Sequence, residues 1–208
     1  AQTHERRPDD RSGMDASVAN SPNILYIQSA SGKAITDHPL QFGRPFVAGE
    51  IPSCPQVLVD GTPSSAQVDV KTRHPDGSVR FAVISTILPT VPASGKVSVS
   101  FADGGACPPQ APLTMDEMLS PRFDFDARIA LTGGTAGTAS ARDMLSRGHY
   151  SLWTSGPIAT TALIADHKGK TFDMGPDAYK SLRPVFEVQF WRAIGKTRVR
   201  VILEAVDT

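Results

Sequence analysis

Between His38 and Pro52 the chain reads HPLQFGRPFVAGEIP, with prolines and glycines at intervals that no long helix tolerates. An interior proline removes a backbone donor and clashes with the preceding helical turn, so the stretch is extended or turning. The neighbouring segments show what it extends into. QVLVDGTPSSAQVDVKTR (56–73) holds an Asp60-Gly61 turn signal between two segments whose apolar residues recur at every second position. In GKVSVSFADGG, Val97, Val99 and Phe101 alternate with Ser98 and Ser100. A period of two turns one face of a strand toward a core. ILYIQSASG is a further short apolar run, ended by Gly32.

A Pro-rich window, ACPPQAPL, interrupts this pattern and reads as a linker, since proline cannot donate to a sheet ladder. LTMDEMLSPRF follows as a short helix. Thr114 caps it, Asp116 and Glu117 lie in the first turn where the helix dipole favours negative charge, and Pro121 stops it. A second β-rich block begins with FDFDARIALT, where Phe123, Phe125, Ala127, Ile129 and Leu131 share one side. GGTAGTAS reads as a loop, and SARDMLSRG as one or two helical turns ended by Gly148. HYSLWTSGPIATTALIAD reads as two strands around Ser155-Gly156-Pro157. The last segment reads as a hairpin turning at Ala193 to Lys196, with Phe186, Val188 and Phe190 inward on one arm and Val199, Val201 and Leu203 on the other.

The fold expected is all-β with few short helices. A polar tail covers 1–20, a first β domain 21–105, the linker and short helix 106–121, and an antiparallel β-sandwich, incomplete in these residues, 122–208. The 208 residues carry 40% hydrophobic side chains, enough for packed cores. Lys plus Arg and Asp plus Glu both number 21, which argues against a nucleic-acid partner. No apolar run approaches the roughly 20 residues of a membrane span. The start at Ala1 fits removal of an export signal or an imposed boundary equally well. Cys54 and Cys107 sit in PSCPQ and GACPPQ, beside strands of one region, so a disulfide and two free thiols are both open.

Candidate chemistry concentrates in KTRHPDGSVRFAVIS (71–85). Pro75, Asp76 and Gly77 have the character of a tight turn between paired strands, and Val79, Phe81 and Val83 of a buried face. The functional alternative is a carboxylate-binding Arg80 beside His74 as acid or base. No GxSxG elbow, P-loop or dinucleotide fingerprint is present. A hydrolase would therefore need a triad assembled in space from distant residues. The histidines are scattered singly. Asp166-His167 with Asp173 and Asp177 is the nearest approach to a ligand cluster, and no spacing matches an EF-hand loop. No cofactor is expected, with calcium the one ion left open. Tyr150, Trp153 and Trp191 are candidates for stacking on a pyranose ring. Trp191 falls opposite Phe186, Val188 and Phe190 in its strand, which marks it for exposure.

PLQFGRPFVAGEIP followed by LVDGTPSSAQVDVKTRHPDGSVRFAVIS resembles the N-terminal region of the exo-rhamnogalacturonan lyase-like family of secreted, carbohydrate-active proteins. A family signature close to W-P-D-G-S-V-R-W-A stands here as His74-Pro75-Asp76-Gly77-Ser78-Val79-Arg80-Phe81-Ala82, with His74 and Phe81 in place of two tryptophans. The resemblance is specific from about 38 to 88 and architectural from about 122 to 208. It implies a small RIFT-type β-barrel, then a central β-sandwich, then an α/α toroid that has no counterpart in these residues. It carries no catalytic residue over. The expectation is the β-rich N-terminal part of a polysaccharide-associated protein, extracellular, periplasmic or on the cell surface, that binds or supports glycan without catalysis of its own. The rival expectation is a structural or assembly subunit of a cell-surface or extracellular complex. Its motive is the strong strand Arg198 to Val206 near the end of the sequence, through which another chain, or a copy, could add a strand.

Overall fold

The structure, a computed structural model, describes residues 23–131, 137–166 and 181–205. The tail at 1–20, His4, His167, Asp173, Asp177 and Tyr179 lie outside them. Antiparallel strands and two very short helices make up the regular structure. Among the described residues no helix is long and apolar enough to cross a membrane.

The first block contributes β1 (Ile24–Ile27), β2 (Ile35–Pro45), β3 (Pro55–Val59), β4 (Thr62–Pro63), β5 (Ala66–Arg73), β6 (Val79–Val91) and β7 (Val97–Asp103). They form two sheets, in the orders β1-β7-β3-β4 and β2-β6-β5. Asp60 and Gly61 turn β3 into β4 with φ of 48° and 77°, left-handed values that Gly adopts without steric cost. Proline is tolerated at Pro39 because β2 is an edge strand. Between the sheets lies one apolar cluster that includes Phe46, Val57, Val68, Ala82, Ile84, Leu88 and Val99. Phe101 packs edge-on against Phe42 and Phe46 at its rim. Among the described residues no ladder joins the two sheets, so they form an open pair where a closed barrel was expected. Cys54 and Cys107 are joined in a disulfide across a separation of 53 residues. Beside it, Asp103 Oδ1 accepts from the amides of Ser53 and Cys54 at 2.8 and 3.2 Å, which fixes the chain leading into β3.

The second block holds α1 (Met115–Leu119), β8 (Arg128–Ala130), β9 (Thr138–Ser140), α2 (Ala141–Ser146), β10 (Tyr150–Thr154), β11 (Ala159–Ile164), β12 (Leu182–Trp191) and β13 (Lys196–Ala205). Thr114 caps α1 through a full capping box with Glu117. The last four strands form one sheet in sequence order. One face of it carries Ala162, Ile164, Phe186, Val188 and Phe190, covered by Met118 of α1, Met144 and Leu145 of α2, and Phe123 and Phe125. Both of those phenylalanines meet Phe190 edge-on, with ring centroids 5.3 and 5.1 Å away.

Several expectations are corrected here. Phe123 and Phe125 are buried as their alternation requires, but from an irregular segment, because only Arg128–Ala130 finds a strand partner. That partner is Thr138–Ser140, inside the stretch read as a loop. The final hairpin turns one residue earlier, over 192–195, with Lys196 already paired to Trp191. Val201 and Leu203, expected inward, are exposed because β13 is an edge strand and the covering helices do not reach it. Trp191, expected outward, is only 3% exposed. The sheet has no wet face there, because its second side is covered by the first block. The expected sandwich is therefore completed across the blocks, with β2-β6-β5 facing β10-β11-β12-β13.

Candidate functional site

The layer where those two sheets meet is polar. In β5, Val68 faces the first core while Gln67 and Asp69 project the other way. Gln67 is fully buried. Its Oε1 accepts from the amides of Ile158 and Ala159 at 3.0 and 2.9 Å, and its Nε2 donates to Ala159 O and to Asp69 Oδ2, both at 2.8 Å. Asp69 Oδ1 accepts from Ser155 N at 3.0 Å. The loop between β10 and β11 is thus docked onto β5 through two side chains. Gly156 lets it approach: a Cβ there would lie 2.4 Å from Gln67 Cδ and 2.3 Å from Gln110 Oε1. A second chain of bonds crosses the layer further along. Gln41 donates to Ser85 Oγ at 2.9 Å and its Oε1 accepts from Gln189 Nε2 at 3.0 Å. Gln189 also donates to Glu187, which accepts from Arg200 at the surface. Thr154 and Thr161, both buried, bond each other at 2.7 Å in the same layer.

Where this layer reaches solvent, next in β5 after Gln67 and Asp69, stands Lys71. Its ammonium donates to the carbonyl of Trp153 and sits 4.5 Å from the centre of the indole ring. Trp153 lies at a β-bulge in the edge strand β10, between Leu152 and Thr154, and is 44% exposed. A bulge re-aims the side chain it carries. The corner therefore combines a partly exposed indole, an ammonium over its ring and an exposed Leu152. Such a set suits a sugar ring bearing a carboxylate, with the apolar ring face on indole and the carboxylate toward ammonium.

The sequence candidates separate on this geometry. Trp153 lies at the corner. Tyr150 is half-buried against the second core, and Trp191 is buried, so neither offers a stacking face. His74 is structural: its Nε2 lies 2.9 Å from Phe46 O, a carbonyl that can only accept, so this nitrogen carries the proton and donates. Asp76 accepts from Ser78 N and Oγ at 2.9 and 2.6 Å. Those two bonds, the hydroxyl's first, hold its carboxyl below the usual aspartate range. Arg73 closes the turn on Gly77 O and Ser53 O. The Arg80 side chain is exposed and has no hydrogen bond or ion pair among the described residues. We expect Arg80→Ala to leave the chemical unfolding midpoint unchanged and Asp76→Ala to lower it. Because the folded carboxyl is the stronger acid, the Asp76 contribution is present above its unfolded pKa and disappears as pH falls through the folded value. A pH series of denaturant titrations on both variants checks this.

Elsewhere the chemistry is sparse. Asp166, buried, lies 3.8 Å from His149 Nδ1, longer than a hydrogen bond. Among the described residues no three His, Cys, Asp or Glu converge as metal ligands. A 260 Å³ cleft beside the disulfide is lined by Pro55, Gln56, Ser64 and Ser65 among others, with no titrating side chain. An open dip of about 370 Å³ holds Asp126, Arg128 and Arg142, but these are engaged locally. Arg128 pairs with Asp126 at 2.6 Å, and Arg142 donates to Leu119 O. Partial burial pushes the Asp126 carboxyl upward, and bonds from Ser140 and Arg128 more than offset this, leaving it below its ordinary range.

Gln41, Gln67, Lys71 and Gln189 were not singled out from sequence. For Gln67 and Gln189 a signal was present. Alternating strands normally put Lys, Glu or Arg on a wet face, whereas Gln67, Ser85, Thr161 and Gln189 are uncharged polar residues. A comparison of the chain with protein-family models, with curated proteins and with solved structures finds no match.

Proposed function

We propose that this chain is a glycan-binding β module of an exported, polysaccharide-associated protein, that it binds acidic sugar through the Lys71–Trp153 corner, and that it has no catalytic centre of its own. The observation that carries the reading is Trp153, a tryptophan 44% exposed beside a lysine ammonium. A large aromatic left open on a bulged edge strand has no core role to explain it. The disulfide accords with an oxidising, extracytoplasmic setting. The lyase-like resemblance supplies the substrate class, pectin-type polymers, and its RIFT-type barrel would correspond here to the open sheet pair of the first block. Engagement of His74 in a backbone bond supports the non-catalytic part.

The chain has two tryptophans, and only Trp153 is open, which gives a direct readout. In a Trp191→Phe background, added oligogalacturonate should change Trp153 emission and protect it from acrylamide quenching. Trp153→Ala should weaken calorimetrically measured binding by about tenfold or more, the scale of one lost stacking contact. Lys71→Met should weaken acidic oligosaccharides selectively over neutral ones. Binding unaffected by Trp153→Ala, or eliminative cleavage of pectin by the chain alone, would overturn the proposal. An assembly role draws on a different feature, β13, at the opposite edge of the same sheet.

A further inference from the structure

Among the described residues the second sheet ends at β13, a ten-residue strand without proline or glycine. An edge strand presents a row of unpaired backbone donors and acceptors, and soluble proteins blunt such edges by shortness, proline, bulges or charge. β13 has charge at Lys196, Arg198, Arg200 and Glu204, and none over the run Val201–Leu203. Val201, Ile202 and Leu203 are 49%, 39% and 43% exposed. Its register with β12 places Val199 and Val201 opposite Val188 and Phe186, on the face of the second core. That face is left uncovered at Val201 and Leu203.

We propose that β13 pairs antiparallel with β13 of a second copy of this chain, about a two-fold axis at Val201. The strand is complementary to itself in that register. Thr197 falls opposite Ala205 of the copy, Arg198 opposite Glu204, Val199 opposite Leu203, Arg200 opposite Ile202 and Val201 opposite itself. The apolar pairs fall on one face and continue the second core across the axis. The opposite charges at Arg198 and Glu204 meet twice, as an isologous interface requires. Moving the axis to Arg200 would set Arg200 against its own copy, and like charges directly opposite are unfavourable. Moving it to Ile202 sets Glu204 opposite Arg200 instead of Arg198, but it cuts the described overlap from Thr197–Ala205 to Val199–Ala205 and breaks the Val199–Leu203 pairing. Arg183 already bonds Glu204 at 2.8 Å, which holds the carboxylate in place at the edge. The product is a continuous eight-stranded sheet. Its two Lys71–Trp153 corners lie at the far ends, roughly 33 Å apart by strand spacing.

The test uses the whole 208-residue chain in sedimentation equilibrium across the micromolar range. A reversible monomer–dimer equilibrium is expected, and Val201→Lys should weaken it by about tenfold or more through lost apolar pairing and apposed charge. Because both native cysteines are bonded to each other, Val201→Cys introduces a lone thiol at the axis. It should give a covalent dimer on mild oxidation. Thr197→Cys should not, since its copies would be about 27 Å apart along the paired strands. This arm decides the matter even if Val201→Lys fails to fold. A chain that stays monomeric throughout overturns the proposal, as does equal cross-linking at 197 and 201. So does a monomer whose outward β13 amides resist hydrogen exchange, because another segment would then cover the edge.

Discussion

Gln67→Leu should lower the unfolding free energy by about 3–5 kcal/mol, measured by urea titration, although leucine fits the same volume and is more apolar. Gln67 is fully buried and serves three backbone groups, the amides of Ile158 and Ala159 and the carbonyl of Ala159. Leucine leaves all three without this partner, and the two Ala159 groups are closed to water. Each buried unsatisfied group costs about 1–3 kcal/mol, so the sum exceeds whatever the leucine side chain gains by burial. Gly156→Ala should act on the same joint from the other side. The new methyl would lie 2.4 Å from Gln67 Cδ, so either the loop or Gln67 must move. The two substitutions should therefore be strongly non-additive, the double variant losing much less than the sum of the singles. An additive pair, or a loss under about 1 kcal/mol for Gln67→Leu, would show that the blocks are not joined through this residue.

Removal of the disulfide is the second large effect. Cys54→Ala with Cys107→Ala should cost about 2–4 kcal/mol, and reductant applied to the native chain should shift the unfolding midpoint in the same direction. The bridge closes a loop of 53 residues that contains β3 to β7, and the entropy withheld from the unfolded chain grows with loop length. Native geometry beside it is already fixed without the sulfurs. Gly104 N donates to Cys54 O at 2.7 Å, and Asp103 bonds the two preceding amides. The reduced chain should therefore keep its folded circular dichroism spectrum under mild conditions while unfolding at lower denaturant. Equal midpoints with and without reductant would contradict this.

What could be read from the sequence was local. Asp60-Gly61, Pro75-Asp76-Gly77 and Thr114 with Glu117 act through residues a few positions away, and all three turn or cap where their chemistry places them. Alternation likewise assigned Phe186, Val188 and Phe190 to a core. The errors over which side chains are buried share one cause. A period of two separates the faces of a strand but does not say what covers the second face. Trp191 was assigned to solvent because it lies opposite three core residues, and it is buried because another sheet covers that side. Val201 and Leu203 fail in reverse: their pattern is that of a core strand, and their exposure follows from standing at the sheet edge. At the candidate corner, Trp153 was identifiable as a residue type. Lys71 was not, because its position beside the indole depends on two strands 82 residues apart.

The polar layer also bears on the order in which the chain is made. The strands β2, β5 and β6 leave the ribosome well before β11 and β12, whose loops and side chains will cover Gln41, Gln67 and Ser85. During that interval the first block can close its own apolar cluster, while the surface awaiting the second block stays hydrated. A hydrophobic face in the same position would be exposed to other nascent chains for as long as translation lasts, the condition under which multi-part proteins aggregate. Uncharged amides and hydroxyls can be solvated first and bonded later. The late strands then dock by exchanging water for protein partners at these polar groups, and the same contact covers Trp191.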